Sequence, residues 1–82
     1  MNNIGKSLSL LKSFGYKKSN DTLGTYFDKN NRKLSCMKHG FNYICYHNIN
    51  IDNKWNLVNK SGILKDYNEA LLWVVQEANK YK

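Results

Sequence analysis

The sequence has little of what membrane proteins and most enzymes contain. Among its 82 residues, no apolar run approaches the ~20 residues that a membrane span needs, and the N-terminal apolar run is too broken for a secretory signal. The five glycines are isolated, so no glycine-rich phosphate loop is present. The six carboxylates are scattered and form no clear acid–base pair. We therefore expect a cytoplasmic, non-enzymatic protein without a cofactor or a membrane partner.

The length and the aromatic content define a single small domain. Residues 1–82 are too few for a second domain, and a chain of this size buries only about 60% of its unfolded surface. That leaves little room for a deep catalytic cavity. Two tryptophans, six tyrosines and three phenylalanines nevertheless supply a core, and such a composition argues against disorder.

The charge is positive and unevenly distributed. The formal net charge is +7, and residues 1–41 carry eight basic side chains against two acidic ones. A basic half of this kind attracts nucleic acid, acidic protein surfaces or anionic membrane. Lysine and asparagine dominate the polar residues while Arg32 is the only arginine, which is typical of an AT-rich bacterial, phage or plasmid genome. Codon bias therefore accounts equally well for a solvated lysine-rich surface.

Periodicity predicts an α+β two-layer sandwich with an N-terminal and a C-terminal helix. Ile4, Leu8 and Leu11 form a stripe on a helix at about residues 3–14, with Asn3 as its N-cap and Gly15 just beyond its end. A second helix from about residue 67 to residue 80 begins after a capping box, Asp66 with Glu69. Between the helices we predict an antiparallel sheet of three or four strands from residues 23–27, 33–38, 41–51 and 55–58, with residues 16–20 extended beside it.

The length of the loop between the last two strands can be predicted from the faces on which their apolar residues lie. A three-residue loop at residues 52–54 pairs Ile51 with Trp55 and Ile49 with Leu57, which keeps all four apolar side chains on one face. We therefore predict three residues rather than two.

Two cysteines and two histidines are the only candidate zinc ligands. Cys36, His39, Cys45 and His47 are spaced unlike common zinc fingers or ribbons. A two-residue turn at residues 40–41 would place Cys36 opposite Cys45, with His47 on the same face and His39 pointing away. We expect reduced cysteines and structural histidines; a zinc domain using Cys36, Cys45 and His47 is an alternative.

The predicted binding surface combines basic and aromatic side chains. The basic residues around the first strands are Lys17, Lys18, Lys29, Arg32, Lys33 and Lys38. The solvent-facing positions of the sheet are Tyr26, Asn42, Ile44 and Tyr46, with Asn48, Asn50 and Asn56 beside them. Lysines bind phosphates, tyrosines stack on bases and asparagines bond to base edges, although the same face would suit a protein interface. Trp73 lies off the main stripe of its helix and is a candidate hot spot.

Three protein classes resemble parts of this pattern. Three strands leading into a helix are similar to the arm-site-binding domains of phage-type integrases, although residues 62–65 depart from their Gly-aromatic-x-Thr step. The helix–strands–helix order is similar to double-stranded-RNA-binding domains, but Asp66 and Glu69 replace their basic helix start. In size and lack of motifs the chain resembles anti-CRISPR proteins. No site residue carries over from any of the three.

The anti-CRISPR resemblance implies the function that we expect first. It is a small phage or mobile-element protein that binds and inhibits a host protein or nucleoprotein complex that handles nucleic acid. A module or small regulator that binds DNA or RNA directly is the alternative, and a zinc-dependent domain is the second alternative.

Overall fold

Two helices flank a run of five strands along the chain. The computed structural model describes residues 3–81, and its elements in order are α1 (Ile4–Ser13), β1 (Lys17–Asn20), β2 (Gly24–Lys29), β3 (Arg32–His39), β4 (Asn42–Ile51), β5 (Lys54–Lys60) and α2 (Tyr67–Lys80). Every strand pairs antiparallel with its neighbour in sequence, in the spatial order β1-β2-β3-β4-β5. The α+β class with two terminal helices is confirmed, but the sheet has five strands instead of three or four.

The fifth strand is β1, at one edge of the sheet. It pairs with β2 from Lys17 opposite Asp28 to Asn20 opposite Thr25, and all four of its residues are exposed. Because none of its side chains is buried, no alternation of apolar and polar residues marks it in the sequence. The sequence therefore predicted an extended segment here but not a paired strand.

The helix ends agree with the sequence except at one cap. Asn3 occupies the N-cap position of α1, but its side chain makes no capping bond. Its backbone N–H donates instead to Asn68 Oδ1 at 3.2 Å, which joins the start of α1 to the start of α2. Gly15, with φ +94°, lets the chain leave α1 as predicted. At α2, Asp66 accepts from the backbone N–H of Glu69 at 2.9 Å, which confirms the predicted cap.

The core lies between the helices and one face of the sheet. Both helices lie on that face, because α1 packs on α2, and α2 packs on β3 and β4. The buried apolar side chains are Leu11, Tyr16, Phe27, Leu34, Cys36, Cys45, Ala70, Leu71, Val74 and Ala78. The turn at residues 40–41 has two residues, the case in which Cys36 lies opposite Cys45, and the two cysteines form no disulfide.

The turn between β4 and β5 contradicts the predicted three-residue loop. Ile51 pairs with Lys54, so only Asp52 and Asn53 form the turn, with φ of 53° and 65°. Two successive positive φ angles are the pattern of a type I′ turn, whose twist matches the flanking strands. Asp and Asn tolerate this left-handed region better than other non-glycine residues. The local turn geometry therefore outweighed the apolar pairing on which the prediction rested.

This turn reverses the faces of β5. Trp55 pairs with Asn50 and Leu57 with Asn48, so both apolar side chains lie on the face away from the helices. Asn56, predicted for that face, lies instead beside Ile49 on the helix side. A bulge then shifts the register.

Gly24 gives a direct test of the packing of β2 against β3. A Cβ at this position would overlap the backbone carbonyl of Cys36, so the strands would have to move apart. We expect Gly24→Ala to lower the free energy of unfolding by about 3 kcal/mol, measured by urea denaturation. The control is Gly62→Ala, where a Cβ meets nothing within 4 Å, and we expect a change within about 0.5 kcal/mol. Equal stability of the two variants would contradict the register.

Candidate nucleic-acid interface

We call the face of the sheet away from the helices the open face. It carries a group of large side chains. Because side chains alternate along a strand, every second residue of β2 to β5 points there. Its aromatic and apolar members are Tyr26, Met37, Ile44, Tyr46, Trp55 and Leu57. Trp55 is 48% exposed and Leu57 is 56% exposed. The predicted face residues Tyr26, Asn42, Ile44 and Tyr46 all lie on it, whereas sequence reasoning missed Trp55 and Leu57 because of the wrong loop length.

Lysine ammonium groups lie over two of these rings. Lys33 Nζ is 5.0 Å from the ring centroid of Trp55, and Lys60 Nζ is 5.9 Å from that of Tyr46. Exposed contacts of this kind contribute only about 0.5–1 kcal/mol, so each ammonium can leave its ring for a stronger anionic partner. Aromatic surface and mobile positive charge are thus placed side by side.

The positive charges of the open face outnumber the negative ones. Lys17, Lys33 and Lys60 lie on it, against Asp28, between Lys17 and Lys33 in the register, and Asp21, which accepts from the Tyr26 hydroxyl. Lys33 Nζ lies 4.0 Å from Asp28 Oδ1, and both side chains are about two-fifths exposed, so this ion pair is weak. The face therefore keeps a positive balance.

The six predicted basic residues do not form one surface. Lys17 and Lys33 point to the open face, while Lys18, Lys29 and Arg32 point to the helix side. Lys38 lies near the end of β3, where its backbone N–H donates to Leu23 O at 2.9 Å. Because side chains alternate along a strand, residues that are neighbours in the sequence point to opposite faces of the sheet. A group of basic residues in the sequence is therefore not a group on one surface.

Tyr26 is held in place by the turn before its strand. Its hydroxyl donates to both carboxylate oxygens of Asp21 at 3.1 Å, and Asp21 also accepts from the backbone N–H of Leu23 and Gly24. The backbone hydrogen bond from Leu23, together with those from Gly24 and Tyr26, lowers the pKa of the Asp21 carboxyl. Desolvation and the adjacent carboxylate raise the pKa of Tyr26. The ring therefore has a fixed direction on an otherwise exposed surface.

A polar cluster is buried on the opposite side of the sheet. His47 and Glu77 are 0% and 2% exposed. Arg32 Nη1 lies 2.9 Å from His47 Nε2, and because a guanidinium only donates, Nε2 must accept. His47 Nδ1 then carries the proton and donates to Glu77 Oε1 at 3.1 Å. His47 therefore bridges the Arg32 guanidinium and the Glu77 carboxylate.

Further donors complete this cluster. Asn59 and Lys80 each donate to Glu77 Oε2 at 3.1 Å. Burial alone would raise the pKa of the Glu77 carboxyl, but the hydrogen bonds from His47, Lys80 and Asn59 outweigh it, and the pKa is lowered. The cluster joins β3, β4, β5 and α2, so it fixes the helix on the sheet. Sequence reasoning missed Glu77, although its spacing from Ala70 and Val74 places it on the buried stripe of α2.

The geometry gives the zinc hypothesis no support. Both ring nitrogens of His47 are bonded to Arg32 and Glu77, and His39 is exposed at the end of β3. A hydrogen bond to Cys45, together with burial, raises the pKa of the Cys36 thiol, which disfavours the thiolate that zinc needs. Within residues 3–81, no three histidine, cysteine or carboxylate side chains converge.

Trp73 and an apolar groove both lie away from the open face. Trp73 is half-buried on α2 and packs against the core. A groove of about 650 Å³ runs between α1 and β1, lined by apolar Leu8, Leu11 and Phe27 and bordered by lysines that include Lys18. Neither adjoins the large side chains of the open face.

Comparison with known proteins gives this chain no family. Neither a scan against models of protein families nor searches of curated proteins and solved structures finds a match. Across residues 3–81, neither helix has the length and hydrophobicity required to cross a membrane.

The buried cluster predicts how stability depends on pH. Because the pKa of Glu77 is lower in the fold than its ordinary value of 4.5, the cluster stabilises the fold above that pH, and this contribution is lost as the pH falls through the folded pKa. Glu77→Gln removes the titrating group and the charge-assisted bonds. We expect it to cost about 2 kcal/mol at neutral pH and to flatten the loss of stability between about pH 5 and pH 3, followed by urea denaturation.

Glu69→Gln is the matched control, since Glu69 accepts a bond from Lys65 near the start of the same helix but lies outside the cluster. It should keep the steep dependence on acid. The same slope in both variants would contradict an ionised Glu77.

Proposed function

We propose that this chain is a non-enzymatic protein that binds single-stranded nucleic acid through its open face. The observation that carries the proposal is the placement of Lys33 beside Trp55 and of Lys60 beside Tyr46. Proteins that bind single strands combine aromatic platforms for the bases with basic groups for the backbone. Unpaired bases are required, because bases within a duplex are stacked on one another and cannot lie on side-chain rings.

The shape of the open face supports the same occupant. It spans five adjacent strands at about 4.8 Å each, so it is roughly 20 Å wide. Tyr26, Tyr46 and Trp55 are distributed over β2, β4 and β5, across most of this width. A short strand that crosses the sheet can therefore contact all three rings.

The open-face lysines predict a salt-dependent affinity. With Lys17, Lys33 and Lys60 as phosphate contacts, we expect the logarithm of the association constant to fall with the logarithm of salt concentration with a slope of about −2. Fluorescence anisotropy of a labelled single-stranded 12-mer measures this. Lys33→Gln with Lys60→Gln should weaken binding and reduce the slope, whereas Trp55→Leu should weaken binding about 5- to 100-fold with little change in slope.

The control for charge is Lys6→Gln with Lys12→Gln, which removes two lysines from α1, on the other side of the molecule. It should leave the affinity near that of the wild type. Equal losses in both double variants would mean that only net charge matters, and would contradict the open face as the site.

A different observation favours the inhibitory function as a second candidate. Phe41, Ile63 and Leu23 are 98%, 74% and 61% exposed. The register places all three at the end of the sheet that holds the turn at residues 40–41, here called the apolar end. Large apolar side chains grouped at a surface are typical of protein contacts. We propose that, in this case, the apolar end binds a protein of a host nucleic-acid-handling complex and inhibits it, as anti-CRISPR proteins do.

Plating efficiency of a targeted phage on cells with a CRISPR defence tests this candidate. If the apolar end makes the contact, expression of the chain should raise plating, and Phe41→Ser should abolish most of that gain while Lys33→Gln with Lys60→Gln keeps it. The reverse pattern would assign any protection to the open face. No gain with the wild type would contradict inhibition of the tested system.

A further inference from the structure

Three residues in one row across the sheet leave a cleft on the open face. Tyr26 on β2 pairs with Ser35 on β3, and Ser35 pairs with Tyr46 on β4. Ser35, which is 6% exposed, thus lies on the floor between tyrosines of the two neighbouring strands. The resulting concavity measures about 530 Å³, and Met37 and Asn48 are also among its lining residues. We call the Tyr26–Ser35–Tyr46 row the tyrosine slot.

The width of the slot fits one planar ring. Adjacent strands are about 4.8 Å apart, so the two tyrosines originate about 9.6 Å from each other. One ring stacked between two others needs about 7 Å between the outer rings at contact distances of about 3.5 Å, and two rings need more than 10 Å. The strand spacing therefore allows one ring between the tyrosines and excludes a second.

The walls and the rim define what kind of ring fits. Tyr26 is fixed by its bonds to Asp21, and Tyr46 lies beside Lys60. The hydroxyl of Ser35 and the amide of Asn48 can donate to or accept from the edge of a heterocycle. Lys60, opposite Tyr46 on β5, can bind a phosphate at the rim. Aromatic walls, polar groups at the ring edge and a basic rim together match a nucleotide better than an apolar side chain.

We infer that the tyrosine slot binds one unpaired base of a single-stranded nucleic acid, stacked between Tyr26 and Tyr46. The inference rests on the proposed binding of single strands by the open face, and adds the position of a base within it. The slot anchors one base in a defined place, while the neighbouring rings and lysines hold the rest of the strand.

Filling the slot is the test. Ser35→Leu places a branched side chain between the tyrosines, and Ser19→Leu is the matched control, because Ser19 is exposed on the same face, beside Tyr26 but outside the slot. The probes are a single-stranded thymidine 12-mer and a 12-mer of equal charge with abasic sugars, followed by anisotropy. We expect the wild type and Ser19→Leu to prefer the thymidine strand by about 10-fold or more, and Ser35→Leu to lose that preference.

The outcomes separate the inference from the function on which it rests. If the wild type binds neither strand at low salt, the proposed function fails. If it binds both strands equally, or if Ser35→Leu keeps the wild-type preference, the slot is overturned while strand binding stands. Tight binding of free thymidine monophosphate with no gain for the strand would make the occupant a free nucleotide and would also overturn the inference. Should Ser35→Leu fail to show a wild-type melting transition, Tyr46→Leu takes its place with the same expected loss.

Discussion

The register of the β3–β4 hairpin is the constraint on which both faces of this protein depend. The two-residue turn at residues 40–41 fixes it, and a slip of one residue would exchange the faces of one strand. In this register Cys36 and Cys45 meet in the core, while Ser35 and Tyr46 meet one position away on the open face. A change in the turn would therefore disrupt the core and the tyrosine slot together. Core packing and the surface that we propose for binding are specified by the same backbone pairs.

The buried cluster adds a polar connection to this apolar core. Burying the ionised Glu77 carboxylate costs desolvation free energy, which hydrogen-bond donors from three strands and its own helix offset. His47, Asn59 and Lys80 donate to it directly, and Arg32 acts through His47. Tyr81 covers the cluster, with its ring 4.5 Å from the Arg32 guanidinium and 4.9 Å from the His47 ring. Since these contacts are directional, they fix α2 in one position over the sheet, which apolar packing alone does less specifically.

A structural feature could be predicted from the sequence where residues close to it in the chain determine it. The start of α2 follows from Asp66 and Glu69, and the Cys36–Cys45 pairing follows from one tight turn, so both were predictable. The turn at Asp52 and Asn53 could not be predicted in this way. Keeping the apolar side chains on one face required three loop residues, whereas a type I′ turn has two, and the turn geometry determined the outcome. The partners of Glu77 were also hidden, since His47 and Asn59 come from distant parts of the chain. For the candidate site, the tyrosines were found by alternation, but Trp55 and Leu57 depended on the turn.

The corrected turn also gives the strongest reason to regard the open face as a binding surface. With a three-residue loop, Trp55 and Leu57 would have joined the helix side and the open face would have been mostly polar. The observed turn leaves both side chains exposed. Burying them would have added to the stability of an 82-residue chain whose apolar burial is limited. The turn also places the indole under Lys33, on the same face as the slot and Lys60. The turn geometry accounts for the exposure of both side chains, and the binding that we propose uses the surface that it leaves uncovered.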